Sequence, residues 1–428
     1  MKLIFIFFLL LTTLLNAKIQ LVKKENSDSN TTLLVVAGIH GNEPGGYFAA
    51  SILITNYSIT SKNLWIVPNL NSESIIKNRR GIHGDMNRKF AYVKDGDKDK
   101  KIIDEIKETI LSPKVSLVLN LHDGHGFYRK KNQGSIFNPN AWGQTCVIDQ
   151  CDLKIEQDFG NLNDIAMQVK NNVNKKLLQQ HHSFDVKNTN TKYDDEAMQL
   201  SLTYFSVTNN KPAFAVETSK NLKNLSQKVF YQLLAIEEYM KIMGIKYKRN
   251  FKLNEKEIAK ILNKHGNLGI NGNILLNLTD IKKSLSYIPI KSKSNEFKFS
   301  HPLGKVQKSR GKYLVFIGNQ QITQLKPQYF NLTDHCQDKL NFVIDGKEIS
   351  LSNTSDFYVT ADFKVIKSKG QRVNIIGYQP KGRIDESNIN ISLKNLNKRY
   401  SVDTKHKVYR VEFYKKEEFC SMLMVHFK

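Results

Sequence analysis

The stretch TLLVVAGIHGNEPGG, residues 32–46, decides the fold of this chain. Its first six residues are apolar or β-branched and predict a buried strand, which enters a turn at Gly38. Residues Pro44 to Ile54 then predict a helix with proline in its first turn. The turn holds His40 and Glu43, three residues apart. Side chains at such a turn lie at the carboxyl edge of an α/β sheet, where enzymes of this class place their sites.

Strand-like and helix-like segments alternate from about Thr31 to Lys246. Further strands are predicted at 64–67, 115–121 and 213–216, and helices at 98–111, 161–180 and 223–243. The nearly continuous apolar run VSLVLNL at 115–121 is typical of a strand buried on both faces. The alternation predicts an α/β domain with a mixed, largely parallel sheet.

The character of the sequence changes after Lys246. One helix is predicted at 253–263, followed by short strand-like runs at 274–278, 286–290, 313–317, 341–344, 357–359, 372–376, 389–393, 407–413 and 422–427. Short strands at this spacing are typical of all-β modules. With a soft boundary near Gln337, we expect an α/β domain at 18–246, a β-rich middle domain at 247–337 and a β-sandwich-like domain at 338–428.

The first residues predict export. Lys2 precedes a nearly continuous apolar run, Leu3–Leu15, and Ala17 supplies a small residue for cleavage. This is the pattern of a secretory signal peptide over residues 1–17, and the run is short for a membrane-spanning helix. An uncleaved N-terminal anchor is the alternative. No later segment reaches the length of a spanning helix, so we expect no transmembrane domain after signal removal.

The charge balance is strongly basic. The 428 residues include 64 Lys and Arg against 40 Asp and Glu, a formal net charge of +24 spread along the whole chain. Outside the cytoplasm such a protein meets anionic polymers, lipid head groups and acidic wall peptides. A solvated lysine-rich surface without a partner is the equal alternative. The absence of a zinc-finger or RNA-binding aromatic motif argues against a nucleic-acid partner.

The chain has four cysteines, which an exported protein can oxidise. Cys146 and Cys151 are close enough in sequence for a local disulfide, and Cys336 and Cys420 are then left to pair. A four-cysteine metal site is the alternative, but the CxxC spacing typical of such sites is missing.

His40 and Glu43 form a candidate metal site together with His122. A His–Glu pair is a recognised zinc pair, and a third ligand leaves the fourth coordination position open for water. His122 ends the run VSLVLNLH and so has the same position as His40, on a different strand. The next residue, Asp123, is a candidate for orienting His122 through a hydrogen bond. A purely structural strand-end histidine is the alternative for His122.

Other candidate residues follow in two further segments. In GDMNRKF, Asn87 and Arg88 are adjacent, and an arginine fork beside an amide suits bidentate carboxylate binding. Arg79 and Arg80 lie just upstream, and either is a candidate for stabilising an oxyanion. In KPAFAVETSK, Glu217 ends the last predicted strand and is a candidate general base. The alternatives are ordinary basic loop residues and a salt-bridged strand-end glutamate.

These elements, in this order, resemble the zinc metallocarboxypeptidase superfamily over roughly residues 31–240. The resemblance implies one Zn²⁺ ion bound by His40, Glu43 and His122, a clamp of Asn87 and Arg88 on the free terminal carboxylate, a catalytic carboxylate at Glu217 and an oxyanion arginine at Arg80, with Arg79 as the fallback. It also implies a tyrosine that closes over the substrate. Tyr204 is the candidate, although a plain aromatic core residue is the stronger interpretation of Tyr204.

The whole chain resembles a narrower group, the periplasmic peptidoglycan DL-carboxypeptidases that determine the shape of helical Gram-negative bacteria. The basis is the signal peptide, the HGNE turn, the HDGHGF segment and the β-rich second half. The group implies an α/β zinc carboxypeptidase domain followed by two smaller β-rich domains, the last immunoglobulin-like. It also implies a periplasmic location and peptidoglycan stem peptides as partners, with other cell-wall proteins as further candidates. The expected reaction removes the terminal meso-diaminopimelate from muramyl tripeptides and leaves dipeptides.

Two other functions are compatible with parts of the pattern. Deacylases of the succinylglutamate desuccinylase and aspartoacylase type share the HGNE turn, the Asn-Arg pair and the strand-end histidine, but the signal peptide and the long β-rich half argue against them. A non-catalytic wall-binding scaffold on a degenerate peptidase domain is the second alternative. The intact set of His40, Glu43, His122 and Glu217 argues against degeneracy.

Overall fold

The computed structural model describes residues 19–26, 29–154, 158–333, 339–380 and 382–428. The predicted signal peptide at 1–17 and the predicted boundary at Gln337 lie outside these residues. Within the described ranges, none of the helices combines the length and the apolar character needed to cross a membrane.

The first part of the chain alternates strands and helices as predicted. Its strands are β1 (Val22–Lys24), β2 (Thr32–Ala37), β3 (Tyr57–Ser61), β4 (Asn63–Val67), β5 (Val115–Gly124), β6 (Phe127–Tyr128), β7 (Phe137–Asn138), β8 (Thr145–Ile148), β9 (Asp185–Asn188), β10 (Ala213–Ser219) and β11 (Lys246–Arg249). Its helices are α1 (Pro44–Asn56), α2 (Ser72–Lys77), α3 (Lys100–Leu111), α4 (Leu162–Val173), α5 (Thr191–Asp194), α6 (Leu202–Thr208), α7 (Leu225–Ile242) and α8 (Glu255–Leu262).

The central sheet has seven strands in the order β1-β4-β2-β5-β10-β8-β9. The pairs β4–β2, β2–β5, β5–β10 and β8–β9 are parallel, whereas β1–β4 and β10–β8 are antiparallel. The predicted mixed, largely parallel sheet is thus confirmed. From β2 the chain adds β4 on one side and then β5 on the other, so the strand order reverses between β2 and β5. Ligands of open α/β sheets bind outside the carboxyl ends of the strands at such a point.

Apolar burial holds the helices on this sheet. Every residue of β2 is buried, and β5 is buried almost throughout, as expected for strands covered on both faces. Helices α1 and α7 pack against each other and against β5. Helix α3 buries Ile103, Ile106 and Ile110, whose spacing of three and four residues places them on one face.

The second half of the chain is β-rich, also as predicted. Its strands are β12 (Asn267–Ile270), β13 (Ile274–Asn277), β14 (Ser284–Ile290), β15 (Phe297–Phe299), β16 (Gly304–Ser309), β17 (Lys312–Ile317), β18 (Gln320–Tyr329), β19 (Lys339–Ile344), β20 (Lys347–Ser352), β21 (Asp356–Val359), β22 (Asp362–Val365), β23 (Gln371–Ile375), β24 (Ile391–Ser392), β25 (Val408–Lys415) and β26 (Glu418–Phe427).

These strands form three larger sheets. Two have four strands, in the orders β14-β18-β17-β16 and β20-β19-β22-β24, and the third has the order β15-β12-β13-β26-β25-β23 with β21 beside β26. In the third sheet, Ile274 of β13 pairs with Met422 of β26. Strands from both sides of residue 337 therefore share one sheet. A hydrophobic cluster between residues 340 and 427 draws on the second and third sheets, as in a β-sandwich.

The predicted local disulfide is wrong. Cys146 and Cys151 are both free: Cys146 is fully buried within β8, whereas Cys151 is exposed in the loop that follows. Burial raises the pKa of the Cys146 thiol to about 12, so it behaves as an apolar core residue. Cys420 is disulfide-bonded, and its predicted partner, Cys336, lies outside the described residues.

Candidate active site

The turn between β2 and α1 places two side chains at the sheet edge. Gly38 has a φ of +74°, which glycine adopts at no steric cost and which redirects the chain as it leaves β2. A Cβ at position 45 would lie 2.3 Å from an oxygen of Asp123, so only glycine fits at this position in the first turn of α1. Asp123 accepts a hydrogen bond from the Gly45 amide at 2.9 Å. It thereby satisfies a free N–H at the helix start and leaves Glu43, the N-cap residue, for another use.

The structure brings His40, Glu43 and His122 together into one buried group. The Nδ1 atom of His122 is 2.9 Å from Glu43 Oε2, and the Nδ1 atom of His40 is 3.1 Å from the same oxygen. One possible ligand atom from each side chain lies within 4.8 Å of the others. All three side chains are at most 4% exposed.

A loop residue that the sequence did not single out orients His40. Asp85 Oδ1 lies 2.8 Å from His40 Nε2 and also accepts the backbone N–H of Asn87. A carboxylate at Nε2 favours the tautomer with the proton there, so Nδ1 presents its lone pair toward Glu43. The only signal in the sequence was the position of Asp85 inside GDMNRKF, immediately before the predicted clamp.

The Oε1 oxygen of Glu43 faces two cations. Arg80 Nη1 is 3.3 Å away, and Lys220 Nζ is 3.4 Å away. Arg80 also donates from Nε to Asp85 at 2.8 Å, which fixes its guanidinium over the group although the side chain is 46% exposed. The other upstream arginine, Arg79, is exposed and does not line the cavity.

The donor set fits a divalent metal ion. Two imidazole nitrogens and one carboxylate oxygen are the ligands typical of catalytic zinc sites. Burial opposes the ionised form of Glu43, but the two histidines outweigh it and hold the pKa of this carboxyl well below its usual range. Burial lowers the pKa of His122, which favours the neutral imidazole that metals bind. Although burial opposes it, the carboxylates of Glu43 and Asp85 raise the pKa of His40, so a proton on this ring can satisfy the Glu43 oxygen; a metal ion bound there would replace that proton.

Glu217 faces the same cavity from the neighbouring strand, where it pairs with His122 in the register of β10 and β5. Within the described part of the chain, its carboxylate has neither a hydrogen bond nor an ion pair. Burial, together with the charges of Glu43 and Asp123, raises the pKa of Glu217 well above its ordinary value. A cation held by Glu43 would oppose that rise. The carboxylate is thus free to exchange a proton.

The cavity has a volume of about 180 Å³. It is lined by His40, Glu43, Arg80, Asn87, Arg88, Asn120, His122, Asp123, Gly124, His125, Trp142, Val147, Met198, Thr203, Ala215, Glu217 and Lys220. Most of these side chains are polar or charged, and Trp142, Val147, Met198 and Ala215 add an apolar part, so the cavity suits a small polar ligand.

Asn87 and Arg88 present donors to this cavity. Asn87 is buried, and its side-chain oxygen accepts the backbone N–H of Leu202 at 3.0 Å, so its NH₂ group is left for a ligand. Arg88 donates from Nη1 to the Asn87 carbonyl at 2.9 Å. No acidic side chain of the described residues lies within ion-pair distance of Arg88. A ligand carboxylate would therefore meet an unpaired guanidinium beside a free amide.

The structure also shows the surroundings of Asp123 and Tyr204. Asp123 bonds to Gly45 and to the hydroxyl of Thr218, not to the ring of His122, so the suggestion that it orients that ring is wrong. Tyr204 lies in α6, where it is partly buried against the hydrophobic core, and it does not line the cavity.

Fold and site together place the chain among the metal-dependent carboxypeptidases, and comparison with known families narrows this class. The chain belongs to the family of carboxypeptidases controlling helical cell shape, since the model of the catalytic part of that family matches residues 1–263. A second model, for the C-terminal domain of metallo-carboxypeptidases, matches residues 333–428.

Solved structures of one relative extend along nearly the whole chain. The apo structure of the cell shape determinant protein Csd4 from Helicobacter pylori has 31% sequence identity, a TM-score of 0.90, and covers 96% of this chain and 100% of its own. A tripeptide-bound structure of Csd4 has 32% identity with the same coverage and TM-score. An mDAP-bound structure, described as that of a D,L-carboxypeptidase, has 32% identity, a TM-score of 0.90, and covers 95% of this chain and 100% of its own. No curated protein sequence matches.

Proposed function

We propose that this protein is a zinc-dependent peptidoglycan DL-carboxypeptidase that removes the terminal meso-diaminopimelate from muramyl tripeptides and leaves dipeptides. The observation that carries the proposal is the buried group of His40, Glu43 and His122 beside the unpaired carboxylate of Glu217. The tripeptide and mDAP bound to the Csd4 structures support the substrate, because those structures match this chain almost from end to end.

In the proposed reaction, the metal ion and the protein side chains have separate roles. One zinc ion bound by His40, Glu43 and His122 would polarise the scissile carbonyl and lower the pKa of a water molecule. Glu217 accepts the proton of the attacking water and delivers it to the leaving amine, a role that its free, raised-pKa carboxylate suits. Arg80, already fixed over the cavity, donates to the oxygen on which negative charge develops.

Arg88 and Asn87 make the reaction specific for a chain end. A free terminal carboxylate is the ligand that both unpaired donors require. Once it is bound, the preceding peptide bond lies toward Glu217 and the metal group, so only the last residue is released. Arg79 stays the fallback for the oxyanion role, and Tyr204 stays the candidate for a tyrosine that closes over the substrate.

The cellular setting follows from the N-terminus and the charge. A signal peptide at residues 1–17 and a periplasmic location bring the enzyme to the wall, and the net charge of +24 suits a polymer that carries carboxylates. The partners are peptidoglycan stem peptides, with other wall proteins as candidates for the β-rich half. Nucleic acid is not among the proposed partners.

The two alternatives have weaker support. An N-acyl amino acid deacylase of the succinylglutamate desuccinylase or aspartoacylase type does not account for the β-rich half, which Csd4 shares. A non-catalytic scaffold does not account for a complete set of ligands, base and clamp in one cavity.

Mass spectrometry of muropeptides incubated with the purified protein tests the proposal. We expect the tripeptide to lose diaminopimelate, the tripeptide with an amidated terminal carboxylate to resist, and a chelator to stop the reaction until Zn²⁺ is restored. Cleavage of N-acyl amino acids instead would favour the deacylase. Purified protein that holds no stoichiometric metal and leaves every muropeptide intact would favour the scaffold.

A further inference from the structure

One polar side chain that lines the cavity, that of Asn120, has no role in the proposed mechanism. Asn120 lies on β5 two residues before His122, so both side chains project from the same face of the sheet. Asn120 is only 1% exposed and lines the cavity. Within the described part of the chain, neither its amide oxygen nor its amide nitrogen has a hydrogen-bond partner.

The neighbours of Asn120 explain why it is left unpaired. Its partners across the sheet are Val36 on β2 and Ala215 on β10, which offer no side-chain donor or acceptor. Val147 and Met198, which line the same cavity, are apolar too. A buried amide without partners is destabilising, and the great majority of buried polar side chains do find a partner. An apolar residue of the same size would suit this position better unless a ligand satisfies the amide.

We propose that Asn120 is a specificity-determining residue that recognises the far end of the side chain of the residue to be released. The assignment rests on the proposed function. With the terminal carboxylate on Arg88 and the scissile bond beside Glu217, the side chain of the last residue has the remaining part of the cavity, where Asn120 lies.

The chemistry of the amide indicates which side chain fits. Asparagine offers an acceptor oxygen and a donor NH₂ group. A side chain that ends in an ammonium group alone satisfies only the oxygen, and one that ends in a carboxylate alone satisfies only the nitrogen. A carbon that bears both groups, as the distal carbon of diaminopimelate does, satisfies both atoms of Asn120 at once. The residue thus selects a zwitterionic end over a singly charged or apolar one.

Competing substrates measure this selection. Four muramyl tripeptides that differ only in the last residue are compared: diaminopimelate with both groups, lysine with the ammonium, aminopimelate with the carboxylate, and norleucine with neither. For the unaltered enzyme we expect kcat/KM for diaminopimelate to exceed that for norleucine roughly 100-fold or more, because a site built to bond a polar group rejects the analogue that lacks it.

The Asn120→Leu variant removes both hydrogen-bonding atoms at nearly constant size. We expect the ratio of kcat/KM for diaminopimelate over norleucine to fall at least roughly 10-fold, while the thermal midpoint stays equal or rises because an unpaired buried amide is gone. Asn120→Asp keeps the acceptor and loses the donor, so its preference should shift from aminopimelate toward lysine. This second variant provides a readout even if the first is poorly folded.

Thr32→Val is the matched control. Thr32 lies on the neighbouring strand β2, is fully buried with an unpartnered hydroxyl, and does not line the cavity. It should resemble Asn120→Leu in stability and leave the selectivity ratio unaltered.

Each outcome of the comparison is decisive. If Asn120→Leu keeps the selectivity ratio of the unaltered enzyme, the amide is satisfied by ordered water alone and the assignment is overturned. If the unaltered enzyme releases no terminal residue from any of the four peptides, the proposed function itself fails. Release from all four at equal rates overturns the role of Asn120 and leaves the carboxypeptidase standing.

Discussion

The cavity at the edge of the central sheet and the middle of strand β25 both hold charged side chains away from water. The two regions differ in whether those side chains have partners within the protein. On β25, Arg410 Nη1 lies 3.5 Å from Glu412 Oε1, and Tyr414 donates its hydroxyl to Glu412 at 2.7 Å. The guanidinium of Arg372 lies 4.3 Å from the centre of the Tyr414 ring. Arg410 and Glu412 are thus partners of each other within the protein, although burial still raises the pKa of Glu412 and its Oε1 atom accepts no hydrogen bond.

In the cavity, by contrast, one carboxylate lies near two others and has no partner of its own. Glu217 has no partner, and the charges of Glu43 and Asp123 help to raise its pKa. Arg88 is a cation without an acidic partner among the described residues, and Asn120 is an amide without a hydrogen bond. The comparison teaches that buried charge alone does not indicate a functional site. A better indicator is a set of charged and polar groups that surround a cavity and have no partner within the protein, since a ligand can then supply the partner.

Substitution of Glu217 tests the cavity side of the comparison and should have the largest effect. We expect Glu217→Gln to lower kcat for tripeptide hydrolysis about 1,000-fold, because the proton acceptor is lost. Zinc content should not change, and the thermal midpoint should stay equal or rise, because a carboxylate whose ionisation the site opposes has been removed. Activity, metal content and thermal unfolding are measured on one preparation. Retained activity would remove Glu217 from the mechanism.

Substitution of Glu412 should show the reverse pattern. Glu412→Leu leaves the buried charge of Arg410 without its partner, so we expect the free energy of unfolding to fall by about 3 kcal/mol. The folded variant should keep its kcat/KM for the soluble tripeptide. Urea unfolding measures the loss, and Glu418→Leu, at an exposed position on β26, is the control. An equal loss in both variants would show that the cluster on β25 is not special.

The sequence predicted the parts of this picture that depend on short patterns. His40, Glu43 and His122 follow apolar strands, and the carboxyl ends of parallel strands meet at one edge, so their convergence could be expected from chain order. The same logic placed Glu217 beside His122. The α/β domain and the β-rich half followed from hydrophobic periodicity and turn residues.

What the sequence did not predict depends on contacts between distant segments. Asp85 reaches His40 across 45 positions from an irregular loop, and no periodicity marks it. The disulfide between Cys146 and Cys151 was inferred from their proximity in sequence, which says nothing about one thiol being buried in β8 while the other is in solvent. The pairing of β13 with β26 joins residues almost 150 positions apart, which no local pattern encodes.

Asp85 offers a smaller test of how the cavity holds its cation. Asp85→Asn keeps an acceptor for the Asn87 amide but removes the charge that fixes the His40 tautomer. We expect zinc affinity to fall roughly 10- to 100-fold, the usual effect of losing such a partner. Competition against a chelator measures the affinity. Asp97→Asn serves as the control, because Asp97 pairs with Lys89 in the same region and does not touch the metal group. Equal affinities of the two variants would contradict the role of Asp85.

Substitution of Glu386 should give the smallest effect, a pH-dependent change in the free energy of unfolding. It tests whether burial also opposes the ionisation of a carboxyl group in the β-rich half. Burial raises its pKa to about 7, although a hydrogen bond from the Ile375 amide and the charge of Arg372 oppose the rise. Because the folded pKa lies above the unfolded value near 4.5, the favourable contribution is complete below about pH 4.5 and is lost as the pH rises toward 7.

Glu386→Gln does not titrate and keeps an oxygen for the Ile375 amide. We therefore expect it to match the unaltered protein near pH 4.5 and to exceed it by about 1 kcal/mol at pH 8, a value reduced to allow for partial solvent access. Thermal unfolding at pH 4.5, 6 and 8 measures the difference between the two proteins, in which the other titrating groups cancel. A difference that does not change with pH would mean that burial does not oppose the ionisation of Glu386, and it would contradict the raised pKa of this carboxyl.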